Sequence, residues 1–192
     1  MRKKIFIMAT LLSSVLFGTT LCLAQEKDRY YQGSVSIGYT GPLNFGLRTT
    51  HGVVYDRSNI FVGGEAWLRL GLEDGTTVKA GAVSRWSYVS LERVDAYVGM
   101  SAGLHVGRNR FTGTYGEMFN TFDTGAYLSP ELGVGIGVGN GDYIDISLDF
   151  PLNFILYRKT RTEYIGGGSE ETIGGGSLEI YNYPGISIGY RF

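Results

Sequence analysis

Hydrophobic and polar residues alternate along most of the chain. In residues 142–156, every even position from Ile144 to Phe154 is apolar, and most odd positions are polar. Residues 128–138 repeat the pattern, and the Asn140-Gly141 pair between the two segments is typical of a tight hairpin turn. Because side chains of a β-strand point alternately to opposite faces, this period of two predicts strands with one apolar and one polar face.

The alternation predicts eight strands separated by connections of two kinds. The strands are residues 30–40, 44–55, 60–71, 76–90, 93–106, 125–139, 142–156 and 177–192. Most exceed ten residues, which is long for a soluble sandwich and suits a tilted strand that crosses a membrane. Three short turns alternate with four other connections, two of which, 107–124 and 157–176, are predicted as long loops. Short turns at one end and longer loops at the other are typical of an outer-membrane barrel with both termini on the periplasmic side.

The predicted fold is therefore an all-β, eight-stranded, antiparallel, up-and-down transmembrane β-barrel. Its apolar face would meet lipid, and its charged face would fill the interior. Since an unpaired buried charge is costly, we expect the inward charges to form ion pairs. These charges are Arg48, Glu65, Arg69, Lys79, Arg85, Asp95, Glu131, Asp145, Asp149, Glu179 and Arg191. A soluble sandwich with the apolar face as its core is the alternative, but aromatic residues on the outward face at the strand ends favour the membrane.

The N-terminus has the parts of a secretory signal peptide. Three basic residues at positions 2–4 precede an apolar stretch, 5–17, and the small residues Cys22 and Ala24 precede a cleavage site before Gln25. We expect residues 1–24 to be removed and residues 25–192 to form the barrel, which predicts a location in the cell outer membrane. Cleavage removes the single cysteine, so no disulfide or thiolate metal site is expected in the exported chain.

Composition supports this view of the chain. Of the 192 residues, 30 are glycine and 14 are tyrosine, and both residue types are weak helix formers. Glycine recurs at every second position near 133–141, which does not match a phosphate-binding loop and instead supplies small residues to a narrow interior. The formal net charge is −1, so nucleic acid is not an expected partner.

The last predicted strand resembles the C-terminal segment of a known class of proteins. Its pattern consists of Gly185, Ile186, Ile188, Tyr190 and the terminal Phe192. This pattern resembles the C-terminal signal of outer-membrane β-barrels, which implies the barrel-assembly machinery as a partner during biogenesis. The chain after residue 24 looks like a small barrel of the OmpA- and OmpX-like class, and residues 126–139 resemble a strand of the uncharacterised outer membrane protein beta-barrel domain families. Prolines 130, 151 and 184 depart from an ideal strand pattern and predict bulges.

The sequence contains few residues in arrangements that suit a catalytic or metal-binding site. By parity, the two histidines, His51 and His105, lie on opposite faces, and no serine lies within six residues of His51. Asp145 and Asp149 are ~13 Å apart along a strand, which is too far for one metal ion. We therefore predict no enzymatic activity, no cofactor and no metal site. Because eight strands enclose just enough space for side chains, a filled interior is expected.

The sequence thus predicts a non-enzymatic, integral outer-membrane protein with a structural or surface-interaction role. A narrow small-solute channel of the porin type and a lipid-modifying enzyme are the alternatives. Outer-membrane lipid is the expected surrounding, and an extracellular partner is expected to meet loops 107–124 and 157–176. The candidate contact residues are Arg108, Arg110, Phe111, Tyr115 and Phe119, because exposed aromatic and arginine side chains suit binding surfaces. The glycine-rich segment 165–177 is predicted to be a flexible outer loop.

Overall fold

The computed structural model describes residues 29–40, 44–71, 75–91, 93–180 and 184–192. These residues form eleven β-strands and one short 3-10 helix, Asp56–Ser58. The strands are β1 (Arg29–Thr40), β2 (Asn44–Tyr55), β3 (Ile60–Gly71), β4 (Thr76–Leu91), β5 (Val94–Thr112), β6 (Met118–Gly139), β7 (Asp142–Asp149), β8 (Leu152–Glu163), β9 (Ser169–Gly174), β10 (Ser177–Ile180) and β11 (Gly185–Arg191). The signal peptide predicted for residues 1–24 lies outside the described residues. Among the described residues, no helix is long and apolar enough to cross a membrane.

All strand pairings are antiparallel, and they return to their starting point. Strands β1 to β6 pair in sequence order, β6 pairs with β7, β7 with β11, and β11 with β1. This ring has eight members. Strand β8 pairs with the first half of β6, and β9 and β10 pair with β8. The predicted all-β, antiparallel fold class is therefore confirmed.

The predicted number of strands was too low, because two predicted strands are each interrupted and a further strand, β9, lies in a segment predicted as a loop. Proline has no N–H to donate to a ladder, and Pro151 lies in the break between β7 and β8. Pro184 lies immediately before β11, and Gly175 and Gly176 separate β9 from β10. Eleven strands therefore replace the predicted eight.

The prediction of two long loops was wrong. Residues 107–124 and 157–176 are largely strand, because β5 runs to Thr112, β6 starts at Met118, and β8 and β9 form a hairpin. Glycines 166–168 all adopt positive φ in the turn of that hairpin, so the segment predicted to be flexible consists mainly of a tight turn followed by the paired strand β9. We call residues 107–124 and 157–174 the hairpin sheet. It extends past Thr76, the residue at which the pairing of β4 with β5 begins.

On the ring, apolar side chains are exposed on the outward face and charged side chains are buried on the inward face. Outward apolar side chains are open, with Leu104 66%, Leu156 68% and Ile37 61% exposed, whereas Arg48 and Glu65 inside the ring are 4% and 2% exposed. The interior is therefore charged and the exterior apolar, which is the reverse of a soluble sandwich. The end of the ring that holds the turns at 56–59, 93 and 140–141 is called the turn end below.

Candidate functional site

Two arginines and two glutamates form the central ionic cluster of the interior: Arg48, Glu65, Arg85 and Glu131. Arg48 donates to Glu65 Oε2 from Nε at 2.8 Å and from Nη2 at 2.6 Å, and Nη2 also donates to Glu131 Oε2 at 3.0 Å. Arg85 Nη2 lies 3.4 Å from Glu131 Oε1. The four residues come from β2, β3, β4 and β6, so the cluster connects separate parts of the wall. With two charges of each sign, its members offset the cost of burying one another.

Buried tyrosines complete the hydrogen bonding of this cluster. Tyr127 donates its hydroxyl to Glu65 Oε1 at 2.6 Å, and Tyr97 donates to Glu131 Oε1 at 3.3 Å. Arg85 also lies over the Tyr97 ring, 5.3 Å from its centroid. Sequence reasoning did not single out Tyr127, although its odd position in β6 shares the inward parity of Glu131.

A second group of charges lies towards the turn end. Arg191 pairs with Asp95, and its Nη2 is 3.2 Å from Asp145 Oδ1. The guanidinium also lies over the Tyr143 ring, 4.4 Å from the centroid. These ion pairs connect β11, the last strand of the ring, to β5 and to β7.

A third group lies towards the hairpin sheet, and it differs from the prediction. Lys79 donates to Asn153 Oδ1 at 3.2 Å, and buried Asp149 has no hydrogen-bond partner for Oδ2 among the described residues. Glu179 is half-buried and pairs with Arg158 at 2.6 Å instead of with a predicted interior cation. Arg158 also lies 3.3 Å from Asp123.

Asp123 and Arg158 were missed because both segments were assigned to loops. The alternation of inward and outward residues on β6 continues from Gly125 back to Asp123, and this continuation would have identified Asp123. On β8 the alternation is broken by a bulge opposite Thr124 and Gly125, so it would not have identified Arg158. Arg69, the remaining predicted interior cation, has intermediate exposure on β3.

Large inward side chains occupy the space over inward glycines. A Cβ added to Gly133 would lie 2.2 Å from Tyr97 Cζ, and one added to Gly46 would lie 2.2 Å from Trp67 Nε1. A cavity of about 40 Å³ lies at the turn end beside Arg85, Asp95 and Arg191. The middle of the interior is thus filled by aromatic rings and ion pairs.

The two histidines occupy different environments. His51 faces outward, where its Nε2 is 2.8 Å from the Thr49 hydroxyl and its Nδ1 hydrogen-bonds with the Tyr31 hydroxyl. His105 is buried on the inward face of β5, and its Nδ1 has no hydrogen-bond partner within the described part of the chain. No group of three His, Cys, Asp or Glu side chains among the described residues is arranged to hold a metal ion.

The predicted outer-loop contacts all lie on the hairpin sheet and its turn. Phe111 and Phe119 stack on the inward face with ring centroids 4.8 Å apart, and Tyr115 is 84% exposed in the turn. Arg108 and Arg110 point outward from β5. On the adjacent strands, Lys159 Nζ lies 2.8 Å from Glu171 Oε2, and this hydrogen-bonded ion pair holds the pKa of the Glu171 carboxyl below its ordinary value.

The residues of the predicted assembly signal form β11 and the position after it. Ile186, Ile188, Tyr190 and Phe192 are exposed on the outward face, and Gly185 is buried. Strand β11 pairs with β1 on one side and with β7 on the other. Phe192 extends the pairing, because its backbone exchanges two hydrogen bonds with Gly33.

Comparison with known proteins identifies the fold. No family model matches the chain, and no curated protein matches it by sequence. Its structure is similar to that of Neisserial surface protein A, with 15% identity, a TM-score of 0.52, and coverage of 86% of this chain and 96% of that one. It is also similar to a major outer membrane protein from Thermus thermophilus, with 11% identity, a TM-score of 0.55, and coverage of 84% and 99%. The chain has the fold of small outer-membrane β-barrel proteins.

Proposed function

We propose that this protein is an integral outer-membrane β-barrel with a filled interior. It has a structural or surface-interaction role and is not an enzyme. The observation that carries the proposal is the apolar outward band of β5. All seven outward residues from Val94 to Val106 are apolar, and Arg93 and Arg108 flank them. Twelve steps of ~3.4 Å, tilted by about 45°, rise ~29 Å, which matches a hydrocarbon core ~30 Å thick.

Aromatic side chains at both edges of the band support the same placement. Trp86, Tyr190 and Phe192 lie exposed near the turn end, and Tyr39 and Phe45 lie exposed near the opposite end. Aromatic rings of this kind prefer the two membrane interfaces. With short turns on the periplasmic side, the hairpin sheet would extend from the outer surface. The chain would then be a small barrel of the OmpA- and OmpX-like class that its sequence resembles.

The packed interior supports a role that does not involve conduction. The central ionic cluster joins β2, β3, β4 and β6, and Trp67, Tyr97 and Tyr127 fill the space around it. The pocket of about 40 Å³ beside Arg85, Asp95 and Arg191 has room for water but not for a solute of metabolite size. We infer that the closed interior stabilises the barrel and that the hairpin sheet, with its exposed Tyr115, is the surface on which an extracellular partner would bind.

The test is single-channel recording of residues 25–192 refolded into a planar bilayer, using only material whose gel mobility is heat-modifiable. Silence is expected from the natural chain. A variant with Trp67→Ala and Tyr97→Ala opens the interior and is the positive control for insertion. Reproducible steps from the natural chain would overturn the filled interior and favour a channel. Release of fatty acid from lipid that His51→Ala abolishes would overturn the non-enzymatic role.

A further inference from the structure

Four cations lie together on the outward face of the hairpin sheet. Cross-strand pairing places Arg108, Phe122 and Lys159 in one row, and Arg110, Asn120 and Arg161 in the next row. Adjacent strands are ~4.8 Å apart and same-face neighbours ~7 Å apart, so the cations occupy the corners of a patch of roughly 10 by 7 Å. We call Arg108, Arg110, Lys159 and Arg161 the basic patch.

Two members of the basic patch have no acidic partner in the described part of the chain. Neither Arg108 nor Arg110 forms an ion pair with a described carboxylate, and Arg110 Nη2 only approaches Met118 Sδ at 3.6 Å. The other two form exposed ion pairs, Lys159 with Glu171 at 2.8 Å and Arg161 with Glu163 at 3.3 Å. Exposed pairs of this kind contribute little free energy, so an incoming anion can replace them.

The basic patch lies directly at the edge of the apolar band. Arg108 is the next outward residue after Val106, and Lys159 is the next after Tyr157. Below the patch, Leu104 and Leu156 are among the most exposed apolar side chains of the ring, at 66% and 68%. A lipid whose acyl chains lie against these leucines would therefore place its headgroup against the four cations.

We propose that the basic patch binds the phosphate-bearing headgroup of a membrane lipid in the leaflet next to the hairpin sheet. Guanidinium groups present paired N–H donors that match phosphate oxygens, and Lys159 adds a point charge. The exposed Phe122 ring lies between Arg108 and Lys159, so it gives the patch an apolar floor on which the glycerol region can rest. This inference rests on the proposed insertion of the barrel into a membrane.

The test is electron spin resonance on protein refolded into phosphatidylcholine vesicles that contain spin-labelled phosphatidic acid or spin-labelled phosphatidylcholine. We expect the motionally restricted fraction to be larger for phosphatidic acid. Each cation near an anionic lipid surface contributes a factor of about five, so Arg108→Gln with Arg110→Gln should remove most of the selectivity. The matched control, Arg57→Gln with Arg93→Gln, removes two cations at the opposite edge of the apolar band and should lower the selectivity less than the Arg108 and Arg110 variant does.

The outcomes separate the inference from the proposed function on which it rests. Protein that is not heat-modifiable and restricts neither lipid would overturn membrane insertion itself. Inserted protein that restricts both lipids equally would overturn only the proposed lipid binding at the basic patch. An equal loss of lipid selectivity in the two double variants would do the same. Displacement of phosphatidic acid by inorganic phosphate, at an ionic strength held constant with chloride, would assign the patch to free phosphate instead of lipid.

Discussion

Replacing Glu131 with alanine should strongly destabilise the barrel. Glu131 accepts hydrogen bonds from Arg48, Arg85 and Tyr97, and it is 2% exposed. Arg48 would keep Glu65 as its partner, but Arg85 has no second ion pair among the described residues. Removing one partner from a buried ion pair costs ~3–5 kcal/mol, because the other charge stays buried and uncompensated. At a slope of ~2 kcal/mol per M of urea, a loss of ~3 kcal/mol lowers the unfolding midpoint by ~1.5 M.

The assay is urea unfolding in detergent micelles, followed by heat-modifiable gel mobility and by tyrosine and tryptophan fluorescence. Glu131→Gln keeps the volume of the side chain, so it separates loss of charge from loss of packing. Glu170→Ala in the exposed strand β9 is the control and should change stability by less than about 0.5 kcal/mol. Adding Arg85→Met to Glu131→Ala should recover stability, because a buried ion pair can be replaced by apolar groups at little cost. If Glu131→Ala matched Glu170→Ala, or if the double variant were no better than the single one, the pairing argument would be refuted.

Three further predictions concern other contacts. Gly133→Val should cost ~1–3 kcal/mol in the same unfolding assay, because the new side chain collides with Tyr97, and adding Tyr97→Ala should restore part of the loss. Tyr127→Phe should cost ~1–3 kcal/mol, because it leaves an oxygen of buried Glu65 without its donor at 2.6 Å; a change within experimental error would contradict that hydrogen bond. In the hairpin sheet, Lys159 lowers the pKa of Glu171, so the stabilisation from this pair is present above the unfolded pKa of Glu171 and is lost as the pH falls through its folded pKa. An NMR titration should show the carboxyl shift of Glu171 moving to higher pH in Lys159→Met, and an unchanged titration would count against the pair.

The alternation of apolar and polar residues predicted most strands of the ring correctly, because the two different surroundings of the ring require that alternation. Each residue of β5 from Val94 to Val106 meets either the apolar exterior or the crowded interior, so one-residue alternation is obligatory there. In the hairpin sheet both faces tolerate polar residues, and the same signal fades although the strands continue. That is why residues 107–124 looked like a loop.

Which interior charges pair could not be predicted from the sequence. Arg48 and Glu131 are 83 residues apart, and Arg191 and Asp95 are 96 apart. Their proximity depends on the register of every intervening strand and on three irregularities, at Ser87/Val89, Thr124/Gly125 and Gly137/Gly139. Parity assigns a residue to the inward face but gives neither its height nor its position around the ring, so Glu179 was grouped with charges that it does not contact.

The interior ion pairs between residues distant along the chain also have a consequence for the rate of assembly. Arg48 meets Glu131 only after β2 and β6 have been brought face to face, and Arg191 meets Asp95 only after the last strand has joined the ring. Contacts between residues so distant along the chain form late, since the entropy of closing a long loop is lost before the contact compensates for it. Until then, the Arg48–Glu131 and Arg191–Asp95 ion pairs are absent from an open sheet whose β1 and β11 edges are unpaired. Neutralisation of the interior is therefore coupled to closure, and folding of the last strand is the step at which an incompletely assembled chain becomes a barrel.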